Sequence, residues 1–356
     1  MPIVDYLRYM VEAGASDLHL KVGLPPVVRV DGVLMHSPFP PLTPAETDAL
    51  GQEIIPDTKR AEFAQRNEVD LGYTLEGVGR FRANAYRQRG DVSIALRRVR
   101  SEIPTFQELR LPQVITQLAQ EPRGLVLVTG PTGTGKTTTI ASIIGWINAN
   151  RRVHIVTIED PIEVVHDDLQ SVIQQREIGL DTESYSSALR HVVRQDPDVI
   201  FIGEIRDMET AEAAIQAAET GHLVISTLHT LDATETVNRI IDLYPPSMQR
   251  QARLSLASSL RGVLSQRLVP RADGKGRVPA VEVLVNTGRV QERVIDADQT
   301  SSIPEVIADG DFYGMQTFDQ ALVKLVGEGL VTVEAALESA SNPHDLTLAL
   351  RQAQLA

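Results

Sequence analysis

The chain contains no cysteine, which excludes disulfides and any zinc or iron–sulfur site built on thiolates. It has no apolar run near the roughly 20 residues needed to cross a bilayer. Its start, Met1-Pro-Ile-Val-Asp-Tyr-Leu-Arg8, places an acid early and carries no signal-peptide core. The expected compartment is therefore the cytoplasm. A basic excess is missing too: 34 Lys and Arg face 47 Asp and Glu, a net charge of −13. Nucleic-acid binders usually carry a basic footprint, so this balance weighs against DNA or RNA, although a basic pore inside an acidic ring would escape it. Internal repeats, low-complexity tracts and coiled-coil heptads are absent. What is present is globular material, 42% hydrophobic and 23% charged over 356 residues, enough for two or three domains with cores of usual size.

The first hundred residues have an antiparallel grammar. Ile3, Leu7, Met10 and Val11 share one helical face, which Gly14 ends. Residues 17–22 read as a strand. Residues 27–30 and 33–35 read as a hairpin about an Asp31-Gly32 turn. Thr43-Pro-Ala-Glu46 is a capping box with proline at the first helical position. Further strands are expected at 70–75 and 80–88, around a Gly77/Gly79 turn, and at 92–98. Residues 1–100 thus form a small α+β domain, followed by a linker at 101–112 that starts with Ser101–Pro104. From about residue 120 strands alternate with helices: 125–128, 153–158, 199–203 and 223–227 are the strands. This implies an α/β domain over 113–290 with a parallel sheet and crossover helices. Residues 291–356 read as a polar, helical subdomain.

Gly130-Pro-Thr-Gly-Thr-Gly-Lys-Thr137 is the most informative stretch. It spells G-x-x-x-x-G-K-[ST], the phosphate-binding loop of a nucleotide triphosphatase, between an apolar strand and a helical run, as the motif requires. Its glycines let backbone N–H groups form a nest for phosphate oxygens. Lys136 adds a charge for the β- and γ-phosphates, and the Thr137 hydroxyl can ligate Mg²⁺. Gly130, Thr132, Gly133, Thr134, Gly135, Lys136, Thr137 and Thr138 are therefore expected to hold ATP and its Mg²⁺.

In an open α/β sheet the ligand sits outside the carboxyl ends of the strands, so the residues that follow each strand are the candidates. Glu159-Asp-Pro-Ile-Glu163 follows one. An acid cluster there fits two needs of ATP hydrolysis, a group that orients or deprotonates water and acids that hold hydrated Mg²⁺; a solvated loop with a capping Asp is the bland alternative. Val199-Ile-Phe-Ile-Gly203 resembles a Walker B strand and is followed by Glu204, which can hold a Mg²⁺ water, with Gly203 keeping space for it. Glu204 and Glu159 join Thr137 as the metal candidates, partly through water. Asp198, at the other end of that strand, lies roughly 20 Å away and is structural. His222 and His229 bracket the strand 223–227 and stand roughly 23 Å apart if it is straight. His229 follows the carboxyl end and is the γ-phosphate sensor; His222 is a structural or inter-subunit residue. Arginines gather at Arg80, Arg82, Arg87, Arg89, Arg97, Arg98 and Arg100. Alternation puts Arg80 and Arg82 opposite Phe81. They are either a solvated strand face or arginine fingers that reach a neighbouring subunit's nucleotide. Arg190 and Arg194 share a helical face, and Arg206 and Asp207 follow Glu204; both pairs make surface salt bridges or bind acids across a subunit contact.

Together these segments resemble the hexameric secretion-type ATPases, and within them the retraction ATPases of type IV pili (PilT-type). The resemblance covers almost the whole chain. Ala15-Ser-Asp-Leu-His-Leu20 is similar to the family's N-terminal signature, in a domain described as PAS-like. Thr157-Ile-Glu-Asp-Pro-Ile-Glu163 resembles its aspartate box. Arg194-Gln-Asp-Pro-Asp-Val-Ile-Phe-Ile-Gly-Glu-Ile-Arg-Asp207 resembles its Walker B block. Glu219-Thr-Gly-His-Leu-Val-Ile-Ser-Thr-Leu-His-Thr230 resembles its histidine box, and Gly314-Met-Gln-Thr-Phe-Asp-Gln-Ala-Leu322 a late signature. The resemblance implies a PAS-like α+β domain joined to a RecA-like P-loop ATPase domain with a C-terminal helical subdomain. It implies that Glu163 is the catalytic base and Glu204 the Mg²⁺-associated acid. Arg80, Arg82 and Arg97 would complete a neighbour's active site in a homohexamer. The ring would act at the inner face of the cell membrane, on a platform protein at the pilus base, alone or beside a paralogous pilus ATPase.

Extension and type II secretion relatives carry a four-cysteine zinc module and an extra N-terminal domain. The lack of cysteine, and of room for that domain, points to retraction. The family's AIRNLIRE motif is largely replaced here by Asn286-Thr-Gly-Arg-Val-Gln-Glu-Arg-Val-Ile-Asp296. That leaves open an accessory retraction paralogue or a motor for a related filament or secretion system. A RecA-like DNA translocase is the remote alternative. A non-catalytic module on the same fold would show ablated motifs, and Lys136, Thr137, Glu163 and Glu204 are all present.

Overall fold

The structure, a computed structural model, describes residues 1–30, 32–99 and 103–355. Asp31 of the hairpin turn, Arg100 of the arginine group, and Ser101 and Glu102 of the expected linker lie outside the described residues. The chain divides into two compact units, Met1–Glu102 with Pro161–Val165, and Ile103–Asp160 with His166–Ala356.

The first unit is built on helix α1 (Ile3–Glu12), strands β1 (Asp17–Leu20), β2 (Val27–Val30) and β3 (Val33–His36), helices α2 (Pro44–Ile54) and α3 (Asp57–Arg66), and strands β4 (Glu68–Leu75), β5 (Gly79–Gln88) and β6 (Asp91–Arg98). Among the described residues the strands form one sheet in the order β3-β2-β1-β6-β5-β4, with every pairing antiparallel. The period of two puts Leu18, Leu20, Phe81, Ala83, Ile94 and Leu96 on one face, where α1 and α2 bury Ile3, Leu7, Met10, Leu50 and Ile54 against them. The Thr43 capping box forms as expected, with Thr43 and Glu46 each accepting the other's backbone N–H. Helix α3, which the sequence reading did not anticipate, lacks a fully buried residue and so has no strong apolar period.

In the second unit, α4 (Val114–Gln120), β7 (Gly124–Thr129), α5 (Lys136–Asn150), β8 (His154–Glu159), β9 (Val172–Glu177), α6 (Tyr185–Val192), β10 (Val199–Ile202), α7 (Met208–Glu219), β11 (Leu223–Leu228), α8 (Ala233–Asp242), α9 (Pro246–Ser259), β12 (Leu260–Pro270) and β13 (Arg277–Val285) are followed by helices α10 (Gly288–Ile295), α11 (Ile303–Ala308), α12 (Phe318–Gly327), α13 (Val333–Ser339) and α14 (Pro343–Gln352). The sheet order is β13-β12-β7-β11-β10-β8-β9, parallel except for β13 on β12. Both faces are covered, as a parallel sheet requires. Val126, Val128, Ile155, Phe201 and Ile225 pack with α4 and α5. Leu125, Leu127, Val156, Ile200 and Val224 pack with α6 to α11. Phe106 and Leu111 are buried in the first of these layers, so the segment that begins at Ile103 is anchored in this unit. Helices α12, α13 and α14 close a separate cluster over Val269, Val278 and Ala280. No helix among the described residues is long and apolar enough to cross a membrane.

Candidate nucleotide site

Strands β7, β11, β10 and β8 run parallel, so their carboxyl ends share one edge and present Gly130, His229, Gly203-Glu204 and Glu159 there. The loop that leaves β7 is shaped by its glycines. Gly130, Gly133 and Gly135 have φ of 140°, 84° and 91°, all outside the range that side chains accept readily. A Cβ on Gly130 would stand 2.5 Å from the Gln266 carbonyl oxygen and 2.7 Å from Thr134 Oγ1, so the loop is pressed against β12. Gly133 has open space around it. Helix α5 starts at Lys136 with no side-chain cap, which leaves its first amides and its positive dipole end available to an anion. Lys136 Nζ is held over the loop by the carbonyls of Gly130 at 2.6 Å and Pro131 at 3.0 Å. Thr134 Oγ1 donates to Pro131 O at 2.9 Å. Thr132 and Thr137 are exposed, and Thr138 is half-buried in the first turn of α5. An uncapped helix end, permissive glycines and one ammonium are a donor set that fits a polyphosphate.

From the lysine a chain of contacts crosses the sheet edge. Lys136 Nζ lies 3.5 Å from His229 Nδ1. His229 Nε2 lies 3.3 Å from Glu204 Oε1, and Arg206 Nε donates to Glu204 Oε2 at 2.8 Å. An ammonium has donors only, so neutral His229 accepts at Nδ1 and carries its proton on Nε2, toward the carboxylate. Glu204 is mostly buried, with its side chain 16% exposed, whereas His229 is half exposed. A depression of about 330 Å³ opens beside these groups, lined by Glu204, Arg206, His229, Thr230, Glu235 and Arg239.

The remaining candidates do not join this series of contacts. Glu159 is buried at the end of β8, where its Oε1 accepts from Thr157 Oγ1 at 2.7 Å and Gln175 Nε2 at 3.1 Å. Among the described residues no group of three or more His, Asp or Glu is arranged to hold a metal by itself. A Mg²⁺ here would draw ligands from phosphate and water besides Thr137. The space in front of Gly203 is filled: a Cβ there would stand 2.6 Å from Tyr185 Oη. Burial, with Asp160 nearby, pushes the Tyr185 phenol up, so it stays a neutral donor. Asp198 accepts the His154 N–H at 2.9 Å and ties β8 to β10 at their amino ends. The His222 ring contacts the Ala217 carbonyl at 3.0 Å, near the end of α7. Arg190 pairs with Glu209 at 3.3 Å, and Asp207 caps α7 by accepting from Thr210 N.

Within the first unit the register places Arg82 beside Arg97, and Arg97 beside Asp17, on the sheet face opposite the core. Arg80 shares that face. Arg97 Nε donates to Asp17 Oδ1 at 2.8 Å, and Arg80 Nη1 to Thr74 Oγ1 at 3.1 Å. Burial pushes the Asp17 carboxyl up, but hydrogen bonds from Ser16 and Arg97 outweigh it and hold the group below its ordinary range. Arg82 Nη1 donates to Glu163 Oε1 at 2.8 Å. Glu163 belongs to this unit through Pro161–Val165, while Glu159 and Asp160 belong to the other. The unit boundary therefore runs through the acid cluster, which the sequence presents as one motif.

Sequence reasoning missed Tyr185, Ser265 and Glu282. Only Glu282 left a signal, a lone carboxylate inside the apolar strand Ala280-Val-Glu-Val-Leu-Val285.

A family model described as Type II/IV secretion system protein matches residues 90–324. The chain is 42% identical to the type IV pilus retraction ATPase PilT of Pseudomonas aeruginosa, over 97% of its own length and 100% of that protein's. It is 41% identical to the type IV pilus ATPase PilU of the same organism, over 99% and 92% of the two lengths. A crystal structure of the pilus retraction motor PilT with bound ADP superposes with a TM-score of 0.89 at 44% identity, covering 97% of this chain and 98% of that one. The glycine loop, the lysine–histidine–glutamate series and these end-to-end likenesses agree: the chain belongs to the type II/IV secretion family and is a PilT-type ATP hydrolase.

Proposed function

We propose that this chain is a homohexameric motor that hydrolyses ATP to power type IV pilus retraction and twitching motility. The observation that carries the reading is the contact series Lys136–His229–Glu204 at the carboxyl edge of the sheet, in a chain that matches pilus ATPases over nearly its whole length. ATP with Mg²⁺ supplies the phosphoanhydride bond and the charge that must be balanced as it breaks. Gly130, Gly133, Gly135, Lys136 and Thr138 hold the phosphates, with Thr132 and Thr134 shaping the loop. Thr137 would ligate Mg²⁺, with Glu204 and Glu159 holding it partly through water. His229 registers the γ-phosphate and passes its position to Glu204 by the Nε2 proton. Glu163 takes the proton of the attacking water. Arg80, Arg82 and Arg97 complete the site of a neighbouring subunit; the Arg82–Glu163 ion pair supports assigning base and arginine to one machinery. Residues 1–100, 101–112, 113–290 and 291–356 serve as N-terminal domain, linker, ATPase domain and helical subdomain. The ring works at the cytoplasmic face of the inner membrane on a pilus platform protein, without nucleic acid.

A second reading, an accessory paralogue acting beside a primary motor, is favoured by two observations. The likeness to PilU is as extensive as that to PilT. The stretch 286–296, where α10 forms, departs from the retraction motif. The deciding experiment is pilus retraction in cells that lack this gene, complemented by wild type or by Glu204→Ala. Loss of retraction that only wild type restores supports the primary motor. Normal retraction after deletion overturns it in favour of the accessory role.

A further inference from the structure

A single polar rung crosses β7, β12 and the edge strand β13 of the second unit. Thr129 of β7 pairs with Ser265 of β12, and Ser265 pairs with Glu282 of β13. Paired residues share a face, so the three polar side chains stand in a row. Thr129 Oγ1 donates to Ser265 Oγ at 3.0 Å. The Ser265 hydroxyl faces the carboxylate of its register partner Glu282 and helps stabilise its charge. Glu282 Oε1 then accepts the backbone N–H of Ala233 at 2.9 Å. All three side chains are buried, Glu282 to 7% exposure.

The ends of this series are significant. Thr129 is the residue before Gly130, where the phosphate loop begins. On the other side of β7, Thr129 pairs with Leu228, the residue before His229. Ala233 opens α8, directly after the turn that carries His229. The rung thus fastens both flanks of the 229–232 turn to the foot of the phosphate loop, one through the sheet and one through Glu282. Within the turn, Thr230 Oγ1 meets Thr236 Oγ1 at 2.7 Å and Leu231 N donates to Glu235 Oε2 at 2.7 Å. The turn is therefore stiff, and its position is set by its two fastenings. A buried carboxylate in the middle of an apolar strand is costly; Arg267 on β12 offsets part of that cost, while the like charge of Asp232 at the cap of α8 adds to it.

We propose that Glu282 is a positioning residue for ATP hydrolysis: through the Ala233 amide and Ser265 it fixes the distance between His229 and Lys136. The proposal rests on the reading of His229 as a functional group of the site. Removing the carboxylate leaves the phosphate loop whole but frees the 229–232 turn to shift. A shift of about 1 Å in such a group costs on the order of 100-fold in rate, while affinity for the nucleotide, which the loop provides, changes little. Glu282→Gln keeps an acceptor for Ala233 N and a polar atom for Ser265, and so restores most of the rate.

The test is a double-mutant cycle on the full-length protein, read by steady-state ATPase kinetics, with fluorescent-ATP binding and circular dichroism confirming fold and occupancy. Glu282→Ala is expected to lower kcat at least about tenfold with KM for ATP within about threefold. His229→Ala is expected to lower kcat as well, and the double variant to be no slower than the worse single, the non-additivity expected of residues that act through one another. Glu282→Gln should recover to within about threefold of wild type. Should Glu282→Ala not fold, Ser265→Ala breaks the same series and enters the cycle in its place. If His229→Ala leaves kcat unchanged, the reading of His229 fails and the proposal with it. If His229→Ala slows hydrolysis but the two effects multiply, His229 keeps its role and Glu282 is a core residue with no positioning part.

Discussion

Replacing Gly130 by alanine should disable the nucleotide site by geometry alone. The residue sits at φ 140°, where a side chain costs about 1–3 kcal/mol. The added Cβ would also stand 2.5 Å from the Gln266 carbonyl oxygen, when ordinary contact begins at 3.4 Å. The shortfall is about 0.9 Å, and the obstructing atom is strand backbone, so the loop must move away from β12. A displacement near 1 Å at a reacting centre costs on the order of 100-fold in rate. Gly130→Ala is therefore expected to lower kcat/KM for ATP about 100-fold and to lose about 2 kcal/mol of stability. Gly133→Ala is the comparison. It carries a similar conformational penalty at φ 84° but meets no atom within 4 Å. Its rate loss should be about tenfold smaller than that of Gly130→Ala, since only strain acts. Urea denaturation gives the stability and a coupled ATPase assay gives the rate. Equal losses in the two variants, or a Gly130→Ala enzyme within about threefold of wild type, would refute the argument that contact with β12 sets the loop.

Three further outcomes are expected. Gly203→Ala should destabilise the protein by about 1–3 kcal/mol through its clash with Tyr185 Oη, and Tyr185→Phe in the same chain should recover part of the loss in a thermal melt. Burial pushes the Glu282 carboxyl up to about 7, from 4.5 in the unfolded chain. The unfolded state then binds fewer protons between these values, so wild-type stability falls as pH rises from 4.5 to 7; Glu282→Gln should abolish that slope and gain up to about 3 kcal/mol over wild type at pH 8 in urea melts, with little difference at pH 4. Asp198→Ala, which leaves the His154 N–H without its acceptor, should cost about 1–3 kcal/mol of stability and leave kcat within about twofold of wild type, because the group lies at the amino end of β10; a large drop in kcat would contradict its structural role.

The phosphate loop, the Thr43 capping box, the strands of the first unit and the four central strands of the second were legible because each depends on neighbours in sequence: apolar period, glycine spacing, a side chain within reach of its own amide. That His229 and not His222 stands at the carboxyl edge also needed no coordinates, since only one of them follows a carboxyl strand end. Strand β12 was not legible: it continues α9 without a break, Ser259 ending the helix and Leu260 starting the strand, so no turn residue marks it. Strand order was hidden as well. Lys136 and His229 are 93 residues apart, and they meet only because β11 inserts between β7 and β10, a choice made by packing two buried faces and not by any local pattern. The same packing put Tyr185 over Gly203, Glu282 under the 229–232 turn, and Glu163 in a different unit from Glu159. The sequence by itself determined the chemistry on offer, because phosphate binding needs a contiguous loop. Tertiary structure alone decided which acid, base and hydroxyl stand together, because hydrogen bonds across a sheet depend on which strands become neighbours.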